Sequence, residues 1–149
     1  MYNGGIISEK VSKKAAFFAI AAFSILASFW AINFSPIGNH EAYVAVTARQ
    51  MLKTGNWTVP YFNGAPRLNK TPLNYWLVAI AAKGAGGVND FVVRLPSAAL
   101  AAISAMAIFY FVSEWLGFRI AALSSLIWSG CLCYIKFSHT GRPEMALTA

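Results

Sequence analysis

Three apolar runs divide the chain, and its polar residues gather between them. Ala15 to Phe34 is twenty residues without a charge, Leu95 to Val112 is a second run, and Ile120 to Ile135 is a third of sixteen residues. A helix rises about 1.5 Å per residue, so roughly 20 apolar residues cross the ~30 Å hydrocarbon layer of a bilayer. The first run reads as an uncleaved signal anchor preceded by Lys10, Lys13 and Lys14. A cleaved signal peptide competes with that reading. The run, however, exceeds the usual length of about 7 to 15 residues, and Phe29 to Ile37 shows no small-residue cleavage pattern. Keeping the lysines cytoplasmic puts the N-terminus inside and the exit of the run outside.

The second run, with Arg94 ahead of it and Pro96 suited to a first helical turn, then crosses inward. The third reaches both interfaces if Phe118 and the aliphatic stem of Lys136 are included, and crosses outward. Leu73 to Ala82 could add a span and reverse everything downstream. Lys83 and the glycines from Gly84 to Gly87 cut it to about half the required length, so it reads as an interfacial helix with Tyr75 and Trp76 at head-group depth. The expected order is therefore a cytoplasmic segment at 1–14, a transmembrane helix at 15–34, and an external loop at 35–94 with interfacial helices near 41–53 and 71–83. A transmembrane helix at 95–113, a cytoplasmic turn at 114–119 and a transmembrane helix at 120–136 follow. An external loop at 137–144 and the start of a fourth transmembrane helix at 145–149 complete it. The fold class is all-α integral membrane, and "RPEMALTA" reads as a new apolar segment just begun, so the chain is expected to be the N-terminal part of a longer protein.

Composition agrees: 58% of residues are hydrophobic and 11% are charged, against about 25% charged in ordinary soluble domains. A net charge of +7 raises nucleic acid as a partner. Nucleic-acid binders gather Lys and Arg on a soluble face, whereas these cations sit at the ends of apolar runs, so no nucleic acid is expected. Membrane lipids or a phosphate-bearing lipid are the fitting anions. Cys131 and Cys133 lie inside an apolar run and read as packing residues.

In the long external loop, "HEAYVAVTARQMLKTG" predicts a helix closed by Gly55, with Val44, Ala48, Met51 and Leu52 as its apolar stripe along the membrane surface. Glu41 falls in its first turn, where the helix dipole favours a carboxylate; catalysis is the alternative. Gly55 to Pro66 is rich in turn formers and reads as an irregular segment in which Trp57, Tyr61 and Phe62 either cradle a ligand or anchor in the interface. Lys70, at head-group depth, either snorkels or pairs with a lipid phosphate. Glu144 falls in the first turn of a following helix beside Arg142, and His139 is either a proton carrier or a solvated loop residue.

The stretches "HEAYVAVTARQML", "TGNW", "VPYFNG" and "NKTPLNYWL", followed two spans later by "RPEM", resemble the N-terminal part of the GT-C polyprenyl-phosphate-sugar glycosyltransferases, the protein O-mannosyltransferase and lipid A aminoarabinose transferase group. The resemblance implies a GT-C type multi-span helical bundle, of which this chain holds the first three transmembrane helices and the interfacial helices of the first external loop. It implies transfer of a sugar from a polyprenyl-phosphate donor to a lipid, protein or glycan acceptor, at the extracytoplasmic face of a bacterial inner membrane. By resemblance Lys70 meets the carrier phosphate, with Arg67, Arg142, Tyr61 and Asn63 as further binding candidates. Glu144 matches the acid that opens the later helix, and Glu41 the second acid of an Asp-Glu pair.

Two positions depart from the family pattern. His40 stands where the first Asp is usual, and Asn69 where a Glu commonly precedes the lysine. The proton acceptor is then His40 oriented by Glu41, or Glu41 itself. A divalent cation (Mg or Mn), bound weakly at Glu41 and Glu144, is a further expectation, and the lost carboxylate weakens it. The rival class is a non-enzymatic transporter or anionic-lipid-binding protein, which explains the cations but not the acids at both outer helix starts.

Overall fold

The computed structural model describes residues 4–68, 70–142 and 144, with side chains from Lys13 onward; the expected fourth span at 145–149, Asn69 and Pro143 lie outside the described residues. Among the described residues six helices and one small hairpin follow in order: α1 (Gly4–Phe29), α2 (Asn39–Thr54), β1 (Tyr61–Phe62), β2 (Ala65–Pro66), α3 (Leu73–Ala85), α4 (Asp90–Leu116), α5 (Phe118–Gly130) and α6 (Leu132–Ser138). The chain is thus mostly helical. Among the described residues α4 is long and apolar enough to cross a membrane, and α5 with α6 passes the same test as a pair bent by 61°.

Contacts between α1, α4 and the α5–α6 pair set their directions. Lys13 of α1 pairs with Glu114 near the end of α4 at 2.6 Å, while the carbonyl of Ile32, just past α1, accepts from Arg94 near the start of α4 at 2.6 Å. These two rods are therefore antiparallel. The only residue between α4 and α5 is Gly117, at φ 86°, a left-handed value that favours glycine. From there α5 and α6 together return the full length of α4, because Gly141 ends up against Val93. Ser24 meets Ser129 at 3.3 Å, Ser28 meets Tyr134 at 2.8 Å, and the Trp30 carbonyl meets His139 at 2.7 Å. The bent pair is thus one broken rod running parallel to α1, and His139, half-buried, fastens the two rods together.

Small residues make the close packing possible. Ala101 and Ala105 of α4 are fully buried beside Tyr134, and Phe109 packs with Ile20 and Ala121. The outward faces stay apolar, as at Phe18, Leu26, Phe111, Leu123 and Ile127, which suits lipid contact.

Three local features differ from what the pattern of the chain suggests. Helix α4 begins at Asp90, not beside Pro96, because Asn89 caps it by accepting from the Val92 N–H at 2.9 Å. Pro96 is therefore interior, and Arg94 is a helical residue. Gly55–Pro66 is not wholly irregular: Asn63 and Gly64, at φ 50° and 83°, close a two-residue hairpin pairing Tyr61 with Pro66. Positive φ at both positions suits Asn-Gly and matches strand twist. The third apolar run is broken at Cys131, whose sulfur caps α6 by accepting from the Tyr134 N–H at 3.3 Å.

At the Arg94 end of the rods, α2 and α3 pack together over the start of α4. The α2 stripe of Val44, Ala48 and Met51 is buried against Tyr75, Val78, Ala79 and Val93 rather than laid on lipid. Tyr75 is likewise buried, and Trp76 donates from Nε1 to the Trp57 carbonyl at 2.7 Å.

Candidate functional site

Where α2 starts, Gly38 is extended and Glu41, three positions on, folds back so that Oε2 accepts the Gly38 N–H at 2.9 Å. The same carboxylate meets Arg94 in a fork: Nε donates to Oε1 at 2.7 Å and Nη2 to Oε2 at 3.0 Å. Arg94 also donates from Nη1 to the carbonyls of Ile32 and Ser35 at 2.6 and 2.9 Å, and from Nη2 to that of Pro36 at 3.3 Å. All five guanidinium N–H groups thus have acceptors. The Gly141 N–H completes the cluster, donating to Glu41 Oε1 at 3.0 Å.

Arg94 and Glu41 are 2% and 5% exposed, so the pair joins α1's exit, the start of α2, α4 and the loop after α6 in a place that water barely reaches. Burial alone would raise the Glu41 pKa. The Arg94 hydrogen bonds, those from Gly38 and Gly141, and the Arg94 charge outweigh burial and hold it below the usual carboxylate value.

In front of this pair lies a cleft lined by His40, Tyr43, Arg67, Lys70, Asn74, Tyr75, Arg142 and Glu144. Its wall after α6 is held through both backbone polar groups of one residue, Gly141. Asn74 Nδ2 donates to the Gly141 carbonyl at 3.2 Å while Glu41 takes its N–H, and Ser97 Oγ donates to the Arg142 carbonyl at 3.3 Å. The hairpin supplies Arg67, whose N–H donates to the Pro60 carbonyl at 2.7 Å. Three cations face one described carboxylate here, so the cleft favours an anion. At about 50 Å³ it falls well below the roughly 300–1,000 Å³ of sites that enclose a whole small molecule. It suits a phosphate-sized group.

Of the residues singled out from the sequence, His40, Lys70, Arg67, Arg142 and Glu144 line this cleft, although they are spread over a hundred positions of the chain. Glu41 does not line it; the residue stands behind the wall with both oxygens engaged. Tyr61 lies elsewhere, in a hollow with Gln50, Lys53 and Asn56, and Asn63 is an exposed turn residue. A divalent cation at Glu41 and Glu144 does not fit, because each Glu41 oxygen already accepts two hydrogen bonds. Among the described residues no group of three metal-binding side chains forms.

Sequence reasoning passed over Arg94, Asn74 and Gly141. Arg94 looks like any cation heading an apolar run, and its partner lies 53 positions away. Only the Asn89-Asp90 helix start, which draws Arg94 into α4, hints at burial. Nothing local marks Gly141, yet a Cβ there would stand 2.5 Å from Val93 Cγ1 and 2.8 Å from the Val93 carbonyl oxygen.

Over residues 69–149, more than half its length, the chain matches the family described as dolichyl-phosphate-mannose-protein mannosyltransferase. It is 38% identical over 99 residues to an undecaprenyl phosphate-alpha-4-amino-4-deoxy-L-arabinose arabinosyl transferase of Aeromonas hydrophila, covering 66% of this chain and 17% of that protein. The transferase of the same name from Pseudomonas savastanoi is 33% identical over 88 residues, 55% of this chain and 16% of the relative. An uncharacterized protein of Aquifex aeolicus is 33% identical over 110 residues, 73% of this chain and 22% of the relative. The chain therefore spans about a fifth of the length of these relatives. No solved structure matches it.

Proposed function

The chain belongs to the dolichyl-phosphate-mannose-protein mannosyltransferase family, and from that premise we propose that it forms the donor-phosphate corner of a membrane glycosyltransferase. The protein it belongs to moves a sugar from a polyprenyl-phosphate carrier to an extracytoplasmic acceptor. The relatives named for undecaprenyl-phosphate-linked aminoarabinose support a donor of that class. The observation that carries the reading is the cleft, where Arg67, Lys70 and Arg142 converge beside His40 and Glu144.

The chemistry follows from charge. When the bond between the sugar's anomeric carbon and the carrier phosphate breaks, its electron pair stays on the phosphate oxygen. Charge grows there as the sugar becomes cation-like. Lys70 and Arg142 stabilise that charge in a partly desolvated cleft, which acts on the transition state more than on the ground state, while Arg67 binds the phosphate in both states. The acceptor oxygen bonds to the anomeric carbon, and its proton, where the acceptor is a hydroxyl, passes to the imidazole of His40. Glu41 is unsuited to accepting that proton, because its lone pairs are taken and its pKa is held low.

Sidedness supports the same reading. We take Lys13 and its neighbours as cytoplasmic, and the Lys13–Glu114 contact then supports an α4–α5 junction on the inner side. Arg94, the cleft, α2 and α3 then lie outside, with three transmembrane rods: α1, α4 and the broken α5–α6. Membrane lipids surround the rods, and α2 and α3 lie near the outer head groups.

Transfer of radiolabelled sugar from polyprenyl-phosphate donors, measured on the full-length protein in membranes, tests the proposal. Lys70→Ala should lower kcat/KM by about 100-fold or more, as loss of a transition-state charge partner does, and His40→Ala should lower kcat when a hydroxyl is the acceptor. Unchanged transfer in both variants overturns the assignment.

A further inference from the structure

Arg67 is held differently from Arg94. Its guanidinium carbon lies 4.5 Å from the centre of the Tyr43 ring and 5.8 Å from that of Phe62, and its Nε donates to the Tyr75 hydroxyl at 3.0 Å. Tyr43 and Phe62 meet edge to face at 4.9 Å. The three rings come from α2, β1 and α3, so three separately placed elements converge on one guanidinium. No carboxylate pairs with it among the described residues, and no described protein group takes its terminal nitrogens.

The difference has a chemical consequence. A carboxylate partner such as Glu41 fixes an arginine by consuming its donors and cancelling its charge. An aromatic face attracts the guanidinium through the ring's negative quadrupole, leaves the in-plane N–H groups unused, and leaves the charge in place. Long side chains lose rotamer freedom when they bind, and a group already stacked in its bound position has lost most of it beforehand. The rings around Arg67 thus preset a planar, doubly donating group at the cleft.

We propose that Tyr43, supported by Phe62 and Tyr75, is a positioning residue that holds Arg67 as a preformed phosphate clamp and thereby sets affinity for the carrier phosphate. The proposal rests on the reading of the cleft as a polyprenyl-phosphate site. Phosphate suits the clamp because two of its tetrahedrally arranged oxygens can accept from two parallel N–H groups, a fit that a lysine's point charge does not offer. The hairpin acquires a purpose here: its Asn63-Gly64 turn returns the chain so that Arg67 follows directly from the strand opposite Phe62 and Tyr61.

Steady-state transfer by the full-length protein, with donor concentration varied, separates the outcomes. Tyr43→Leu should raise the donor KM roughly 3- to 30-fold, the range of a desolvated cation–π contact, while kcat falls less than KM rises. Tyr43→Phe and Tyr43→Trp keep the ring and should recover most of that affinity. Tyr43→Leu should add little to Arg67→Leu, since the ring acts only through the guanidinium. Multiplying effects in the double variant, or Tyr43→Phe as poor as Tyr43→Leu, overturns the proposal even with the wild type active. If Tyr43→Leu does not fold, Arg67→Lys, which keeps the charge and loses the plane, takes its place, and a donor KM equal to wild type overturns the proposal. Direct binding of undecaprenyl phosphate to the same purified variants reads the clamp without turnover. The same ranking there supports the proposal even if the wild type transfers no sugar, an outcome that defeats the functional reading alone, and the absence of that ranking overturns it.

Discussion

Replacing Glu41 by Gln keeps the size and shape of the side chain and removes its charge. The amide can place one oxygen toward two of the four donors that converge on it, Arg94 Nε, Arg94 Nη2, Gly38 N and Gly141 N. Its NH₂ group must then face the other two, donor against donor. Two hydrogen bonds are lost, at least one to a charged partner, and Arg94 remains ionised in a site where it is 2% exposed. Removing one member of a buried pair costs about 3–5 kcal/mol because the remaining charge is uncompensated. Thermal unfolding of the purified full-length protein should show that loss directly. A second substitution, Arg94→Met, removes the stranded charge, so the double variant should be less destabilised than the sum of the two single ones by about 2–3 kcal/mol.

The pH dependence carries its own sign. Folding lowers the Glu41 pKa from its ordinary 4.5, so its stabilising contribution is fully present above about pH 4.5 and disappears as the pH falls through the lower folded value. The stability gap between wild type and Glu41→Gln should therefore be widest near neutrality and close in acid. A Glu41→Gln protein with wild-type stability and no sugar transfer would refute this reasoning and return Glu41 to the chemistry.

Two other substitutions probe the same end and the opposite end of the rods. Gly141→Ala places a methyl group 2.5 Å from Val93 Cγ1 and 2.8 Å from the Val93 carbonyl oxygen, and overpacking of this kind costs about 1–3 kcal/mol. Thermal stability should fall and donor KM should rise because Arg142 moves with the loop; adding Val93→Ala should recover only part, since the carbonyl stays. Lys13→Ala removes an ion pair whose side chains are 39% and 53% exposed, so stability should change by no more than about 1 kcal/mol, and a larger loss would show that the contact does more than link the rod ends.

Much of the helical outline is legible because helices announce their ends locally. Gly55 and Gly86 adopt left-handed φ of 70° and 77° and take the last turns of α2 and α3, and both stand out in the sequence as glycines after an apolar period. The Asn63-Gly64 hairpin and the Asn89 cap are legible too, by the same chemistry, but the surrounding aromatics and the prominence of Pro96 draw attention away from them. The break at Cys131 has no such signal, since a cysteine sulfur rarely caps a helix. The cations and acids of the cleft are readable as types, through the family resemblance and their place at the ends of apolar runs. Their convergence is not, because it depends on a charge pair 53 positions apart and on a glycine whose role is to be small.

That pair also explains how His40 comes to face the cleft. Successive residues on a helix point about 100° apart, so one of two neighbours at a helix start can enter the protein while the other turns outward. Glu41 is pinned inward by Arg94, Gly38 and Gly141. His40, one position earlier, is exposed and edges against Tyr43, whose ring carries Arg67. The buried ion pair therefore sets the rotation of α2, and through it the direction of both the proposed proton acceptor and the ring that holds the clamp. A substitution at Arg94 would then disturb donor affinity and proton transfer together although the residue touches neither reactant. By contrast, substitutions at Tyr43 and His40 should separate the two effects.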